Sequence, residues 1–358
     1  MRIAFLGSFD PYYPINQVLI KGLEKAGASL FTFTAFYEKS ILSKLIKIIK
    51  AATILKPDIT LLGHIGHYHT ISLKLAKLVK LVEDKPVALY LLAPLYESIV
   101  EDRKLAKRLS PKGLMYFLAD KYGCMSADLV ITDTYAHRFY LNKTYGIPLK
   151  KIIVTYPSAD DEIFYPVPKK TQQDEFIVHF HGTFIPFHGV ENIIYAAKLL
   201  EKYERNIIFH IVGYGQTYFS VRRLAKKLNL RNVLFFKPVA YDRLPSLIAK
   251  ADICLGAFGK SPKLDRVIPQ KIFNAIAMAK PVITGFSRAC LEIFENKRHC
   301  LFVKPGDPYD LAESIEILMY DKDFAYKMGI EAYRLFKRNF TPKHIGRKLL
   351  TSFAKICS

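Results

Sequence analysis

The run HGTFIPFHG sets Gly182, Thr183, His188 and Gly189 between an apolar strand-like stretch and a helical one that starts at Val190. Glycines let a backbone come close to a ligand, and the free N–H groups and dipole of a helix start favour negative charge, so a phosphate fits here. Further on, IVGYG puts Gly213 and Gly215 directly after another strand-like run. A single G-x-G is weak evidence; two such turns on neighbouring strands could face one ligand. A third segment, RVIPQKIFNA, leads from Arg266 through Pro269 into a helix carrying Lys271 and Asn274 on one face. Arg266, Lys271 and that helix start could hold a diphosphate, while Asn274 could exchange hydrogen bonds with a sugar hydroxyl. Plainer readings are an ordinary strand-to-helix turn, a solvated lysine and a capping asparagine.

In the first half, Gly7 and Ser8 follow the opening strand, and DITLLGHIGHYH brings His64, His67 and His69 to the end of another. Three histidines resemble a metal cluster, but no nearby carboxylate pattern completes one. No metal site is expected; His64 and His67 are read as substrate contacts. Asp120 and Asp133 suit helix capping. The five cysteines form no C-x-x-C pair, which fits reduced thiols better than disulfides or zinc.

The elements that must position these residues alternate regularly. Strand-like runs IAFLGSF, LFTFTAF, ITLLGHIG, PVALYLLAP and DLVITDT are separated by helical periodicity, and after the Pro-, Asp- and Lys-rich stretch Tyr156–Lys170 the pattern restarts. There the runs FIVHFHG, IIFHIVGYG, VLFFKP, DICLGAF, PVITG and CLFVKP alternate with helices at Val190–Lys202, Tyr218–Leu228, Leu244–Lys250 and Pro269–Ala279. Strands separated by helices imply α/β architecture: two doubly wound, Rossmann-like domains with parallel sheets, at residues 1–168 and 169–338. Such sheets bind ligands at the carboxyl ends of their strands, so a cleft between the domains is the expected substrate site. A chain of 358 residues, 51% hydrophobic and 24% charged, is long enough for two such cores.

A net charge of +21 exceeds what internal pairing can neutralise, which implies an anionic partner. Nucleic acid is disfavoured, because no RRM, helix-turn-helix or zinc pattern accompanies the charge. The segment Ile41–Lys56 combines apolar residues with Lys44, Lys47, Lys50 and Lys56 at helical spacing, and such a helix can lie on an anionic membrane. The longest apolar stretch, Pro86–Leu95, is broken by Pro94 and is shorter than the roughly 20 residues of a spanning helix. The opening MRIAFLGSF reads as a strand rather than a signal peptide. The expected location is therefore the cytoplasm, with peripheral contact on the inner face of the membrane.

The order of these motifs from Phe176 to Tyr333 resembles the donor domain of glycosyltransferase family 4, which has the GT-B fold. GTFIPFHG is similar to its first glycine loop and IVGYG to its second. RVIPQKIFNAIAMAKPVITG resembles the segment where most members carry two glutamates, and Glu292 with LFVKPGDPYDLAESI resembles the closing strand and helix. The departures are specific: Thr183 and His188 stand where the family has arginine and lysine, and Arg266 and Asn274 where it has the glutamates. The resemblance implies transfer from a nucleoside diphosphate sugar to a glycan or lipid-linked acceptor, without cofactor or obligatory metal. Gly182, Thr183, His188, Gly189, Gly213, Gly215, Arg266, Lys271, Asn274 and Glu292 would line the donor side, and Gly7, Ser8, His64 and His67 the acceptor side. It also implies that residues 339–358 form a helix packed back on the first domain. An alternative is a non-catalytic relative that binds a membrane or partner through its basic surface.

Overall fold

The computed structural model describes residues 1–168, 175–201 and 207–357. Residues 1–158 with 341–358 form one unit and residues 159–340 the other. The expected linker residues Lys169 and Lys170, and the expected helix end at Lys202, lie outside the described residues.

Unit 1 holds a parallel sheet of β1 (Arg2–Gly7), β2 (Ser29–Thr34), β3 (Ile59–Leu62), β4 (Val87–Tyr90), β5 (Leu129–Thr132) and β6 (Ile152–Val154), in the order β2-β1-β3-β4-β5-β6. The central strands ITLL, VALY and LVIT are buried throughout, because helices cover both faces of the sheet. On one face α2 (Ile41–Leu55), α3 (His67–Leu78), α4 (Pro111–Ser126) and α5 (Tyr135–Tyr145) supply Ile48, Ala52, Leu73, Cys124 and Leu141 to the core. On the other lies α1 (Pro14–Lys25). Helix starts follow sequence: Ser110 Oγ accepts from Gly113 N–H ahead of Pro111, and Thr134 Oγ1 accepts from His137 N–H.

Unit 2 repeats the plan with β7 (Phe176–His181), β8 (Ile207–Val212), β9 (Val233–Phe236), β10 (Ile253–Leu255), β11 (Val282–Gly285) and β12 (Leu301–Val303), in the order β12-β11-β10-β7-β8-β9. Its helices are α6 (Val190–Leu200), α7 (Tyr218–Lys227), α8 (Leu244–Lys250), α9 (Gln270–Ala277), α10 (Arg288–Leu291), α11 (Pro308–Tyr320) and α12 (Lys322–Asn339). The last helix, α13 (Pro342–Cys357), belongs to unit 1, where Ile345, Leu349 and Phe353 pack with Leu19 and Leu23 of α1. The two sheets have the GT-B architecture.

One buried carboxylate ties unit 1 together. Asp120 on α4 accepts hydrogen bonds from the N–H groups of Leu95 and Tyr96, each at 2.8 Å, and from Tyr145 O–H at 3.1 Å. His67 Nε2 lies 3.0 Å away. Asp120→Ala would leave these donors buried without an acceptor, so we expect a loss of about 3–5 kcal/mol in urea unfolding.

Candidate functional site

The glycine loops of unit 2 meet at the carboxyl ends of β7 and β8. These strands are neighbours, and the loops that leave them are joined by backbone bonds: Gly182 N–H donates to Val212 O and Phe184 N–H to Tyr214 O, both at 3.0 Å. A Cβ at Gly213 would stand 2.0 Å from Gly182 O, and one at Gly215 would stand 2.6 Å from Phe184 O. At these two glycines the missing side chain lets one loop pack against the other. Gly189 caps α6 in the left-handed region at φ 59 and meets the backbone of Phe258 and Gly259.

α9 brings Lys271 to the same point. This helix is buried along its whole length, and Ile272, Phe273, Ala275 and Ile276 fix it in the core. Lys271 is only 6% exposed, and its ammonium lies 3.9 Å from the Phe180 ring centroid. A Cβ at Gly182 would stand 2.8 Å from Lys271 Nζ and 3.5 Å from His188 Cε1, so the missing side chain at 182 makes the room that Lys271 occupies. Lys271 Nζ has no hydrogen-bond partner among the described residues. Burial holds its pKa well below the ordinary lysine value.

Asn274, one turn on, is held by a chain of hydrogen bonds. Asp160 N–H donates to the hydroxyl oxygen of Tyr241 at 3.5 Å, Tyr241 O–H to Asn274 Oδ1 at 3.4 Å, and the Asn274 amide to His181 Nε2 at 3.3 Å. His181 Nδ1 then lies 3.1 Å from His179 Nε2. Burial, with neighbouring positive groups, lowers His179 to about 3 and His181 well below its ordinary value, so both rings are neutral. Neutral rings let the chain run in one direction, with His181 accepting at Nε2 and donating at Nδ1. One amide hydrogen of Asn274 is left over for a ligand.

The remaining donor-side residues are more dispersed. Thr183 is exposed, and its carbonyl accepts from His188 Nδ1. Arg266 is buried where the 3-10 turn Pro262–Asp265 ends, and its Nε donates to Pro262 O at 3.2 Å. Glu292 caps the carboxyl end of α10 and is half-buried. Sequence reasoning missed His179 and Tyr241 altogether. The alternation in FIVHFH carried the signal for His179, since it puts His179 and His181 on one side of β7.

In unit 1, Gly7 ends β1 at φ 148 against Phe9 and Gly63, and Ser8 Oγ lies 2.8 Å from His69 Nε2. Burial, with Lys44 nearby, lowers His69 to about 4. His64 is half-buried, whereas His67 is fully buried against Asp120. His67 therefore joins two helices, although the sequence suggested a substrate contact. Beyond β5, His137 Nδ1 lies 2.7 Å from Asp133 Oδ1 and Nε2 3.3 Å from Glu97 Oε2. Burial alone would lower the His137 pKa, but Glu97 and Asp133 outweigh it and raise the value to about 9. A raised histidine pKa stabilises the fold fully below the unfolded value of 6.5, and that stability is lost as pH climbs through about 9. The unfolding free energy should thus fall across this window, and His137→Gln should flatten the fall.

With this geometry in hand, similarity to known proteins is informative. Residues 161–335 match the family model described as glycosyl transferases group 1. A curated relative, the putative colanic acid biosynthesis glycosyl transferase WcaI of Escherichia coli, is 34% identical over 110 residues, which is 30% of this chain and 26% of that one. The chain thus spans only about a quarter of that relative's length. Among solved structures, Anabaena HepE in complex with UDP and glucose superposes with a TM-score of 0.76 at 17% identity, covering 99% of both chains. Sucrose-phosphate synthase from Thermosynechococcus elongatus gives 0.75 at 16% identity, covering 99% of this chain and 98% of that one. Residues 161–335 are thus similar to glycosyl transferases group 1, in a chain whose two units have the GT-B fold.

Proposed function

We propose that this chain moves a hexose from a nucleoside diphosphate sugar to a lipid-linked or cell-surface glycan acceptor, as a metal-independent, retaining transferase like those of glycosyltransferase family 4. The observation that carries the reading is Lys271. A buried amine without a hydrogen-bond partner disfavours folding, and a bound diphosphate would supply the missing acceptor and favour its charged form. When the sugar–phosphate bond breaks, negative charge grows on the departing phosphate oxygen. Lys271 and the amino end of α9 are placed to stabilise it, which is the role a metal ion plays elsewhere. Arg266 adds positive charge on the approach to that helix. The free amide hydrogen of Asn274 donates to a hydroxyl of the nucleotide sugar, and Gly182, Thr183, His188, Gly213 and Glu292 line the donor side. Unit 1 takes the acceptor near Gly7, Ser8 and His64, on the cytoplasmic side of the membrane. That HepE is described in complex with UDP and glucose supports this class of donor.

A second reading is motivated by Thr183, Arg266 and Asn274, which differ from the family pattern: a non-catalytic relative acting through its basic surface. The two separate in one assay. Full-length protein is incubated with sugar nucleotides, EDTA and a membrane-lipid extract, and nucleoside diphosphate release and product anomeric configuration are followed by NMR. Transfer reads out as release with retention. No release from any sugar nucleotide favours the non-catalytic reading.

A further inference from the structure

α2, α3 and α4 lie side by side on one face of unit 1, with α3 in contact with both others. Their inner residues fill the core, yet their outer faces are apolar as well. α2 (ILSKLIKIIKAATIL) buries only Ile48 and Ala52. Leu42 and Ile46 on α2, Leu75 and Leu78 on α3, and Leu118 and Met125 on α4 are between 38% and 72% exposed. Outer helix faces are normally polar, and an apolar expanse of this kind marks a surface with a partner.

Charge selects the partner. Lys44, Lys47 and Lys50 on α2, Lys74 and Lys77 on α3, and Lys112 and Lys121 on α4 share these helices with the apolar residues. Within these helices the sole carboxylate is Asp120, which is buried and bonded. Glu38 beside Lys47, and Asp84 and Asp128 beside Lys77, offset part of the charge. A second copy of this face would set lysine against lysine. An acidic phospholipid surface instead offers phosphates to the lysines and hydrocarbon to the leucines. No helix among the described residues is long and apolar enough to cross a membrane, so the contact lies in the interfacial layer.

We propose that the α2–α3–α4 face of unit 1 docks this protein on an anionic membrane surface. The docking goes beyond sugar transfer and fails separately from it, because vesicle binding needs no donor. The test is flotation of the full-length protein with vesicles of phosphatidylcholine mixed with phosphatidylglycerol, and with phosphatidylcholine alone. A charge variant (Lys47→Glu, Lys50→Glu, Lys74→Glu) and an apolar variant (Leu42→Gln, Ile46→Gln, Leu75→Gln, Leu78→Gln) alter exposed or half-exposed positions, and their unchanged Tm is verified first. The wild type should float only with the mixed vesicles. The charge variant should bind more weakly by about fivefold per lysine, and the apolar variant should also lose binding. The proposal is overturned by no flotation, by equal binding to phosphatidylcholine alone, or by an apolar variant that binds like the wild type. A solution dimer that the apolar variant dissociates would also overturn it, and assign the face to self-association.

Discussion

Lys271→Met is expected to abolish donor binding while making the unliganded protein more stable. The two effects have one origin. Lys271 Nζ is buried above Gly182 with no hydrogen-bond partner among the described residues, and the Phe180 ring offers only a partial substitute. Methionine keeps the volume and removes the uncompensated group, which should stabilise the unliganded fold by about 1–3 kcal/mol. With ligand the sign reverses, because the diphosphate loses its buried positive contact. Turnover should fall by at least about 10²–10³. The pH dependence gives an independent check. The folded-state pKa of Lys271 is depressed, so the unfolded chain binds more protons below the ordinary lysine value of 10.5, and stability rises with pH towards that value. The Lys271→Met protein should lack this rise.

Gly213→Ala is expected to cost about 2–6 kcal/mol, from backbone strain at φ 140 together with overpacking. The added Cβ would stand 2.0 Å from Gly182 O, and that atom is backbone, so it can yield only by moving the first loop. Moving it breaks the Gly182-to-Val212 bond and disturbs the space that Lys271 fills. A lower Tm and weaker donor binding should appear together. Gly146→Ala is the control. Its φ of 73 is also left-handed, but no atom lies within 4 Å of the added Cβ, so strain alone applies, about 1–2 kcal/mol. Equal losses at the two positions would show that loop packing contributes nothing.

The alternation of apolar runs and helical periodicity made both parallel sheets legible, because buried parallel strands such as ITLL and VALY are continuous apolar runs. β6 was not among the expected strands, since its three residues are too few to show a pattern. The spacing of Lys271 and Asn274 on one helix face was readable, but the burial of that helix was not. It depends on β10, β11 and α12 packing around it. Long-range pairs were invisible for the same reason: His181 meets Asn274 from a distant strand, and His67 meets Asp120 from another helix. The glycines at 213 and 215 were singled out in the sequence as a turn facing a ligand, and the structure shows what an added side chain there would meet. The atom approached is a neighbouring loop's carbonyl, which no local motif specifies.

The most direct test of the central claim is a thermal-shift series on wild type and Lys271→Met with UDP-, GDP-, ADP- and TDP-sugars in EDTA. A ligand that binds only the folded state raises Tm in proportion to its affinity. The account predicts that sugars of one base stabilise the wild type and leave Lys271→Met unmoved. An equal shift in the two proteins would contradict it, because the diphosphate would then be held without the buried lysine.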